Sequence, residues 1–181
     1  MQPRRRRRVW PLAAAAVAVA ALAGGVAALL VTRPAGIPGV SGAPSQSKPI
    51  RLAGVGSFDP FGDDKDEHSE KASLATDKNQ STYWPTQIYQ SFSKPGVGLV
   101  LDAGRSVAPR SLTVSSETPG FTAEIRGGSS PSGPFAPLSG NETVDGTTTF
   151  DLKTRKRERY FVVWITALPN GFARINEVRA R

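Results

Sequence analysis

The 181-residue chain carries 23 basic and 15 acidic side chains, one histidine and no cysteine. The lack of cysteine excludes disulfides, thiol chemistry and thiolate-bound metals, and a single histidine excludes a zinc site built on two imidazoles. The run Arg4 to Arg8 together with Arg33 accounts for six units of the formal net charge of +8, so the chain from Lys48 onward is almost balanced. This balance argues against a nucleic-acid partner, which requires basic residues clustered on the folded domain.

An uncharged apolar stretch, Val9 to Val31, follows the five arginines directly. A helix of that length would measure roughly 35 Å and could cross a hydrocarbon layer of about 30 Å. The basic flank predicts a cytoplasmic N-terminus. We therefore expect a basic cytoplasmic tail (1–8), a transmembrane signal anchor (9–32) and a single-pass cell-membrane protein with an extracellular C-terminal domain. A cleaved signal peptide with a small-residue site near Ala23 remains the alternative, and it exports the same domain.

Residues 33–49 are rich in proline, glycine and serine and show no apolar period. This composition predicts a solvated linker. Its 17 residues would reach at most roughly 60 Å when extended and about 20–25 Å as a flexible coil. The linker would hold the following domain close to the membrane surface.

Residues 50–181 show short apolar-alternating runs separated by turn-forming sequences, which predicts an all-β antiparallel sandwich. The expected strands are Ile50–Ser57, Val97–Ala103, Arg110–Ser116, Thr122–Gly127, Thr147–Leu152, Arg159–Ala167 and Ile175–Arg181. The nearly continuous apolar run YFVVWIT, Tyr160 to Thr166, is typical of a central strand covered on both faces. One short helical turn is expected over Ser69 to Thr76. The basic run KTRKRER, Lys153 to Arg159, is interpreted as a solvated hairpin loop.

A cluster of six carboxylates follows the first strand within the segment FDPFGDDKDEHSE. Close carboxylates suit hard cations such as Ca²⁺, but their spacing does not match the twelve-residue calcium loop. A solvated acidic loop is the alternative. The next segment, ATDKNQSTYW, contains a turn formed by Asp77, Asn79 and Thr82, followed by the apolar Trp84.

The order of these motifs resembles a known family. The FDPFGD segment, the pattern of Asp77, Thr82 and Trp84, the KPGVGL segment and the final RYFVVWITALP and RINEVRAR runs are similar to discoidin-like, galactose-binding-like domains. Within that group the chain resembles the exported C-terminal domains of actinobacterial Ser/Thr kinases and lipid II flippase-type membrane proteins. The resemblance covers Ile50 to Arg181.

The resemblance implies a non-catalytic jelly-roll β-sandwich that often holds one structural Ca²⁺. Matched by position, the oxygen ligands would come from Asp77, Asn79, Thr82 and Glu177. The chain has Asp77-Lys78-Asn79 where Asp-Gly-Asp is usual, and the loss of glycine disfavours a positive φ at this turn.

The resemblance also implies ligand recognition by loops at one end of the sandwich. Aromatic faces would come from Tyr83, Tyr89 and Phe92, and polar contacts from Gln87 and Asp59. Alternatively, Tyr83 and Tyr89 only cover the end of the sandwich. Trp84 and Trp164 are expected in the core.

We therefore expect a membrane-anchored, non-catalytic module that binds a cell-envelope carbohydrate or a peptidoglycan-related ligand. The first alternative is a module that docks onto another membrane protein. A hydrolase is the weaker alternative, because a serine triad would have to use His68 and no G-x-S-x-G motif is present. The paired carboxylates Asp63 and Asp66 lie in a loop rather than on rigid strands.

Overall fold

The computed structural model describes residues 48–153 and 155–181. The predicted cytoplasmic tail, signal anchor and nearly all of the linker lie outside the described residues. Within the described part, no helix is both long and apolar enough to span a bilayer. The described residues from Lys48 onward form a compact unit with its own apolar core, so this unit can be produced and studied without the residues before it.

The described residues form eleven strands and one short 3₁₀ helix at Ser69–Ala75. The strands are β1 (Ala53–Phe58), β2 (Trp84–Pro85), β3 (Val97–Val107), β4 (Ser111–Ser115), β5 (Phe121–Gly128), β6 (Ala136–Pro137), β7 (Glu142–Val144), β8 (Thr147–Asp151), β9 (Glu158–Ala167), β10 (Arg174–Ile175) and β11 (Glu177–Ala180).

Two antiparallel sheets enclose the main core. The larger sheet has the strand order β1-β3-β9-β5-β6, and β7 pairs with β5; the smaller sheet has the order β11-β4-β8. Strands β2 and β10 form a separate two-stranded ladder. Fully buried side chains from both sheets fill the space between them, including Leu99, Leu112, Phe150, Phe161 and Ile165. The predicted all-β antiparallel sandwich is confirmed.

Strand β9 lies between β3 and β5, and both of its faces are buried. Its residues Phe161, Val163 and Ile165 point into the main core. The alternate residues Val162 and Trp164 belong to a second cluster on the outer face of the larger sheet. The prediction of a central strand covered on both sides is confirmed, because the apolar run has no polar face.

The second cluster explains the glycines of the KPGVGL motif. A Cβ atom on Gly96 would lie 2.3 Å from the indole of Trp164, and one on Gly98 would lie 2.4 Å from Val162. These glycines leave room for the indole, which also packs against Phe58 at 5.7 Å between ring centres. Trp164 is thus buried as expected, but on the outer face of the sheet rather than between the sheets.

Several sequence-based boundaries need correction. The run Lys153 to Arg159 is not a hairpin loop, because β8 pairs with β4 in one sheet and β9 pairs with β3 and β5 in the other. The chain therefore crosses between the sheets there. The expected strand Ile175–Arg181 divides at Asn176 into β10 and β11. The very short strands β2, β6 and β7 were not predicted, whereas the helical turn is confirmed as the 3₁₀ helix.

The strand directions define two ends of the sandwich. Strand β1 starts at Ala53, opposite Asp102, and finishes at Phe58, opposite Gly98 near the start of β3. We call the end where β1, β4 and β9 finish the loop end. We call the opposite end, where the described chain enters at Lys48, the entry end. Strand β9 has ten residues, so the two ends lie about 30 Å apart.

Candidate functional site

One extended segment, residues 85–89, divides the surface of the loop end. It continues the ladder between β2 and β10, because the backbone amide of Thr86 donates to the Ala173 carbonyl at 2.9 Å and that of Tyr89 to the Gly171 carbonyl at 2.8 Å. Side chains alternate along an extended chain. Thr86 and Ile88 therefore face one cleft, whereas Gln87 and Tyr89 face another.

The first cleft, which we call the aromatic cleft, has a volume of about 200 Å³. It is lined by His68, Lys71, Tyr83, Pro85, Thr86, Ile88, Phe172 and Arg174. The guanidinium of Arg174 lies 4.5 Å from the ring centre of Tyr83 and 5.6 Å from that of Phe172. Glu117 holds this guanidinium through a contact of 2.8 Å between Nη1 and Oε1. Ile88 is 85% exposed at the rim. The cleft thus combines aromatic surface with cationic hydrogen-bond donors.

The second cleft, which we call the polar cleft, has a volume of about 370 Å³. Its lining consists of Phe61, Gly62, Asp63, Asp64, Gln87, Tyr89 and Lys94. The side-chain amide of Gln87 donates to Asp64 Oδ2 and to the Asp66 carbonyl, both at 3.0 Å. Several polar groups of this cleft are therefore already engaged within the protein.

A buried ionic network forms the floor of the polar cleft. Lys94 Nζ lies 2.5 Å from Asp59 Oδ2 and 3.6 Å from Glu67 Oε1, and it donates to the Tyr89 hydroxyl at 3.1 Å. The Tyr89 hydroxyl donates to Glu67 Oε1, and the Gln87 backbone amide donates to Glu67 Oε2 at 2.7 Å. The network joins the loop after β1 to the segment before β3, and so fixes both clefts in place.

The network shifts the protonation equilibria of its members. Burial raises the pKa of Glu67, and the hydrogen bonds from Tyr89 and Gln87 and the charge of Lys94 oppose that rise. Burial and the contact with Glu67 raise the pKa of Tyr89. Burial lowers the pKa of Lys94, but its bonds to Asp59 and Tyr89 outweigh this, so the net shift is upward. Lys94 therefore remains the cation that balances the buried carboxylates.

The five predicted ligand residues do not form one site. The structure brings Asp59, Gln87, Tyr89 and Phe92 together around the polar cleft, whereas Tyr83 lines the aromatic cleft. The Asp59 side chain is 0% exposed and pairs with Lys94, so it cannot contact a ligand and its assignment is corrected to a structural one. Phe92 packs edge-on against Tyr89 at 5.1 Å and covers the core.

Besides Tyr83, the residues that line the aromatic cleft were not singled out from the sequence as ligand residues; they include His68, Lys71, Ile88, Phe172 and Arg174. Phe172 and Arg174 follow the turn after β9, about ninety positions beyond Tyr83, and only the pairing of β2 with β10 brings them to the cleft. Part of this arrangement could have been predicted from segment 84–89. In an extended segment, successive side chains point to opposite faces, which places Thr86 and Ile88 on one side and Gln87 and Tyr89 on the other.

The predicted metal ligands Asp77, Asn79 and Thr82 meet in one turn. The Thr82 hydroxyl lies 2.7 Å from Asp77 Oδ2, 2.9 Å from the Asn79 carbonyl and 3.5 Å from the Leu74 carbonyl. The side-chain oxygen of Asn79 accepts the Ser81 amide at 3.0 Å, and the Asn79 backbone carbonyl is the oxygen that faces the Thr82 hydroxyl. Lys78 adopts a positive φ of 68°, although the lack of glycine argued against this conformation.

Glu177, at the start of β11, lies next to this turn, because its carboxyl accepts the Lys78 backbone amide. Glu177 is buried, and its Oε2 atom has no hydrogen-bond partner among the described residues. Burial and the nearby Asp77 charge raise its pKa, against the lowering effects of the Lys78 amide and Arg179. A buried carboxylate oxygen without a partner, near a second carboxylate, has the chemistry that a hard cation such as Ca²⁺ prefers.

The acidic loop after β1 is braced by its own hydrogen bonds. Asp66 Oδ1 accepts the Ser57 hydroxyl at 3.0 Å, the Ser69 amide at 3.2 Å and the Ser69 hydroxyl. The Ser69 hydroxyl contributes most to lowering the Asp66 pKa, and burial opposes it. A carboxyl with a lowered pKa is poorly suited to act as the general acid of a glycosidase. Across the described residues, no three acidic, histidine or cysteine side chains group as metal ligands.

No family model and no curated protein matches the chain. Solved structures do match it. The family 32 carbohydrate-binding module from Clostridium perfringens NanJ, in complex with galactose, has a TM-score of 0.53 and 18% identity over 73% of this chain and 96% of that one. The C. perfringens module CpGH89CBM32-5, in complex with GalNAc-β-1,3-galactose, has a TM-score of 0.53 and 16% identity over 74% and 99%.

A larger protein contains a similar domain. The family 89 glycoside hydrolase from C. perfringens matches with a TM-score of 0.51 and 14% identity over 73% of this chain, but the match spans only 14% of the hydrolase. At these identities the likeness concerns the fold. The described domain therefore shares the β-sandwich fold of these solved structures.

Proposed function

We propose that residues 48–181 form a non-catalytic carbohydrate-binding module whose ligand site is the aromatic cleft. The observation that carries this proposal is the placement of the Tyr83 and Phe172 rings around the Arg174 guanidinium in an open cleft. The fold shared with modules solved in complex with galactose and with GalNAc-β-1,3-galactose supports it.

The chemistry of the aromatic cleft suits a sugar ring. The C–H face of a pyranose packs on an aromatic ring, while a few convergent polar groups fix the orientation of its hydroxyls. Tyr83 and Phe172 supply aromatic surface, and Lys71 and Arg174 supply donors beside it. Peptidoglycan-related glycans add carboxylates, which the two cations would also attract. The expected class of ligand is therefore a neutral or acidic cell-envelope glycan.

Isothermal titration of residues 48–181 with galactose, GalNAc-β-1,3-galactose and soluble peptidoglycan fragments tests the proposal. Binding should be lost in Tyr83→Ala and weakened at least tenfold in Arg174→Ala. The matched control is Gln87→Ala, which alters the polar cleft on the other face of the same segment and should bind normally. Loss of binding in Gln87→Ala with retention in Tyr83→Ala would move the site to the polar cleft and contradict the proposal.

We also propose that Asp77, Thr82, Glu177 and the carbonyls of Leu74 and Asn79 hold a structural Ca²⁺. The cation would neutralise the two carboxylates and tie the turn before Tyr83 to β11. At a calcium concentration a hundred times Kd, the domain should gain about 2.7 kcal/mol of stability. Differential scanning calorimetry should show a higher Tm in millimolar calcium than in chelator, and Glu177→Gln should remove the difference. The control Asp63→Asn should retain it, and equal Tm values for the wild type would exclude the site.

We further propose that the module works outside the cell, held at the membrane by residues 9–32. This placement rests on the arginine run and the apolar stretch that follows it. The sequence resemblance suggests a setting like that of the exported domains of actinobacterial Ser/Thr kinases and lipid II flippase-type proteins. Protease treatment of intact cells should cleave residues 48–181, and complete protection of an otherwise cleavable domain would refute extracellular placement.

Docking onto another membrane protein is the second candidate function. The observation that favours it is exposed apolar surface on both sides of segment 85–89, with Ile88 85% exposed and Phe61 55% exposed. A photocrosslinker at Phe61 should then capture one membrane protein reproducibly, and Ile88→Ser should abolish this capture. Capture unchanged by Ile88→Ser would argue against docking through this surface.

A further inference from the structure

We propose that the entry end of the sandwich is a basic surface that binds the anionic bilayer to which the chain is anchored, and so turns both clefts away from the membrane. The biological setting rests on the proposed membrane anchor. The surface itself belongs to the folded domain and can be tested with residues 48–181 alone.

Four segments that are distant in sequence meet at the entry end. The Ile50 amide donates to the Ala180 carbonyl at 3.0 Å, and the Arg110 amide donates to the Arg181 carbonyl. The Leu152 amide donates to the Arg110 carbonyl at 2.9 Å, and Arg157 Nη2 donates to the Ser106 carbonyl at 2.7 Å. These bonds join residues 48–52, 102–111, 151–160 and 180–181, described without Thr154, into one continuous surface.

This surface concentrates positive charge that the composition does not reveal. Its four segments carry ten basic side chains, namely Lys48, Arg51, Arg105, Arg110, Lys153, Arg155, Lys156, Arg157, Arg159 and Arg181. They carry three acidic ones, Asp102, Asp151 and Glu158. The other described residues carry seven basic and twelve acidic side chains. The domain is therefore nearly neutral in total but has an excess of seven positive charges at the entry end and five negative charges elsewhere.

Two of the three carboxylates at this end are already paired. Asp102 binds the Arg159 guanidinium through contacts of 2.9 and 2.8 Å, and Glu158 Oε1 lies 2.7 Å from Lys156 Nζ. Among the described residues, Arg105, Arg110 and Arg155 form no ion pair, and all three are exposed. Their charges remain available to an external anion.

The position of the basic surface next to the predicted linker and anchor favours a membrane as that external anion. The described chain enters at Lys48, which lies on the basic surface, and the predicted linker that precedes it reaches only about 20–25 Å as a coil. The basic end is therefore the part of the domain held closest to the bilayer. The acidic loop and both clefts lie about 30 Å away at the loop end, where the negative charge is repelled by anionic lipid. Surface attraction would thus present the clefts to ligands in the cell envelope.

Vesicle cosedimentation of untagged residues 48–181 tests the inference. Binding to vesicles with 30% phosphatidylglycerol should exceed binding to pure phosphatidylcholine vesicles and should weaken with added salt. Each cation near the membrane surface raises the partition coefficient roughly fivefold, so Arg105→Gln/Arg110→Gln should lower it about 25-fold. The matched control compares single charges: Arg105→Gln alone should lower the partition coefficient about fivefold, whereas Lys65→Gln, which removes one exposed charge at the loop end, should leave it within about twofold of the wild type. Equal losses in both variants, or equal binding to neutral vesicles, would overturn the proposal.

A second measurement tests orientation. Because the chain lacks cysteine, a single fluorophore can be placed by Ser106→Cys at the entry end or Asp63→Cys at the loop end. A lipid-borne quencher should quench the first probe and not the second. Comparable quenching of both probes, or stronger binding to heparin than to anionic vesicles at equal salt, would overturn a membrane-facing entry end. Glycan titration is independent of this test, so failure of the aromatic cleft to bind sugar would leave the lipid result intact.

Discussion

Lys94 compensates two carboxylates that lie in the interior of the loop end, Asp59 and Glu67. Both carboxylate side chains are 0% exposed, and Lys94 itself is 20% exposed. Lys94→Met keeps the length of the side chain and removes its charge. Removing one partner of a buried ion pair costs about 3–5 kcal/mol. Because Lys94 is partly in contact with water, we expect a loss of about 3 kcal/mol, which corresponds to a fall in Tm of about 10 °C for a domain of this size.

The loss should depend on pH through Glu67. Its pKa lies above the ordinary value of 4.5, so the stability associated with its protonated form is complete below 4.5 and is lost as the pH rises through the folded-state pKa. The Lys94 charge lowers that pKa, and its removal should move the pKa further upward. The stability difference between wild type and Lys94→Met should therefore widen from about pH 5 to about pH 8.

Urea unfolding of residues 48–181, followed by tryptophan fluorescence at about pH 5 and about pH 8, measures this difference. The control Arg159→Met removes an exposed cation from its pair with Asp102 and should have a much smaller effect. Adding Glu67→Gln to Lys94→Met should recover part of the loss, since one buried charge disappears with its partner. A loss that is independent of pH, or one matched by Arg159→Met, would refute the assignment of Lys94 as the balancing charge.

Three further outcomes follow from local geometry. Gly54→Ala should lower the Tm strongly, because its Cβ would lie 1.9 Å from the Ala72 carbonyl, whereas Gly56→Ala, with open space to 3.8 Å, should be nearly neutral. Gly96→Ala should disturb the indole pocket and shift the fluorescence of Trp164, and an unchanged spectrum and Tm would contradict the packing role of this glycine. Ser69→Ala should raise the lowered pKa of Asp66 toward 3.8, as followed by NMR titration of its carboxyl carbon, and no shift would exclude Ser69 as the main cause.

The long strands were predictable because burial leaves a pattern in the sequence. Strand β9 has apolar residues at every position from Phe161 to Ile165, and only a strand covered on both faces needs that composition. The shortest strands could not be predicted in the same way. Strands β2 and β6 contain two residues each, including Pro85 and Pro137, and two residues cannot display a period. They exist because neighbouring elements bring their backbones into register.

The candidate site was predictable in part. The turn of Asp77 and Thr82 and the distant Glu177 were placed by matching a family pattern, and in the structure the Glu177 carboxyl lies close enough to Asp77 to be affected by its charge. Tyr83 and Tyr89 were predicted to offer aromatic faces to a ligand at one end of the sandwich, and the structure places them in two different clefts. Their separation depends on the extended path of residues 85–89, which is imposed by hydrogen bonds to Ala173 and Gly171. That constraint is a tertiary contact with no local signature.

The basic surface could not be predicted from any single segment of the sequence. KTRKRER resembles a solvated loop when it is considered by itself. The balance of 17 basic to 15 acidic residues from Lys48 onward gives no sign that charge is unevenly distributed over the folded domain. Antiparallel strands return alternate connections to the same end of a sandwich. Arg51, Arg105, Arg110 and Arg181 therefore join the crossover from β8 to β9, while the carboxylates after β1 lie at the opposite end. Because of the strand order, a domain of almost neutral composition has its positive and negative charges separated by about 30 Å. That separation determines how the domain would face a charged bilayer.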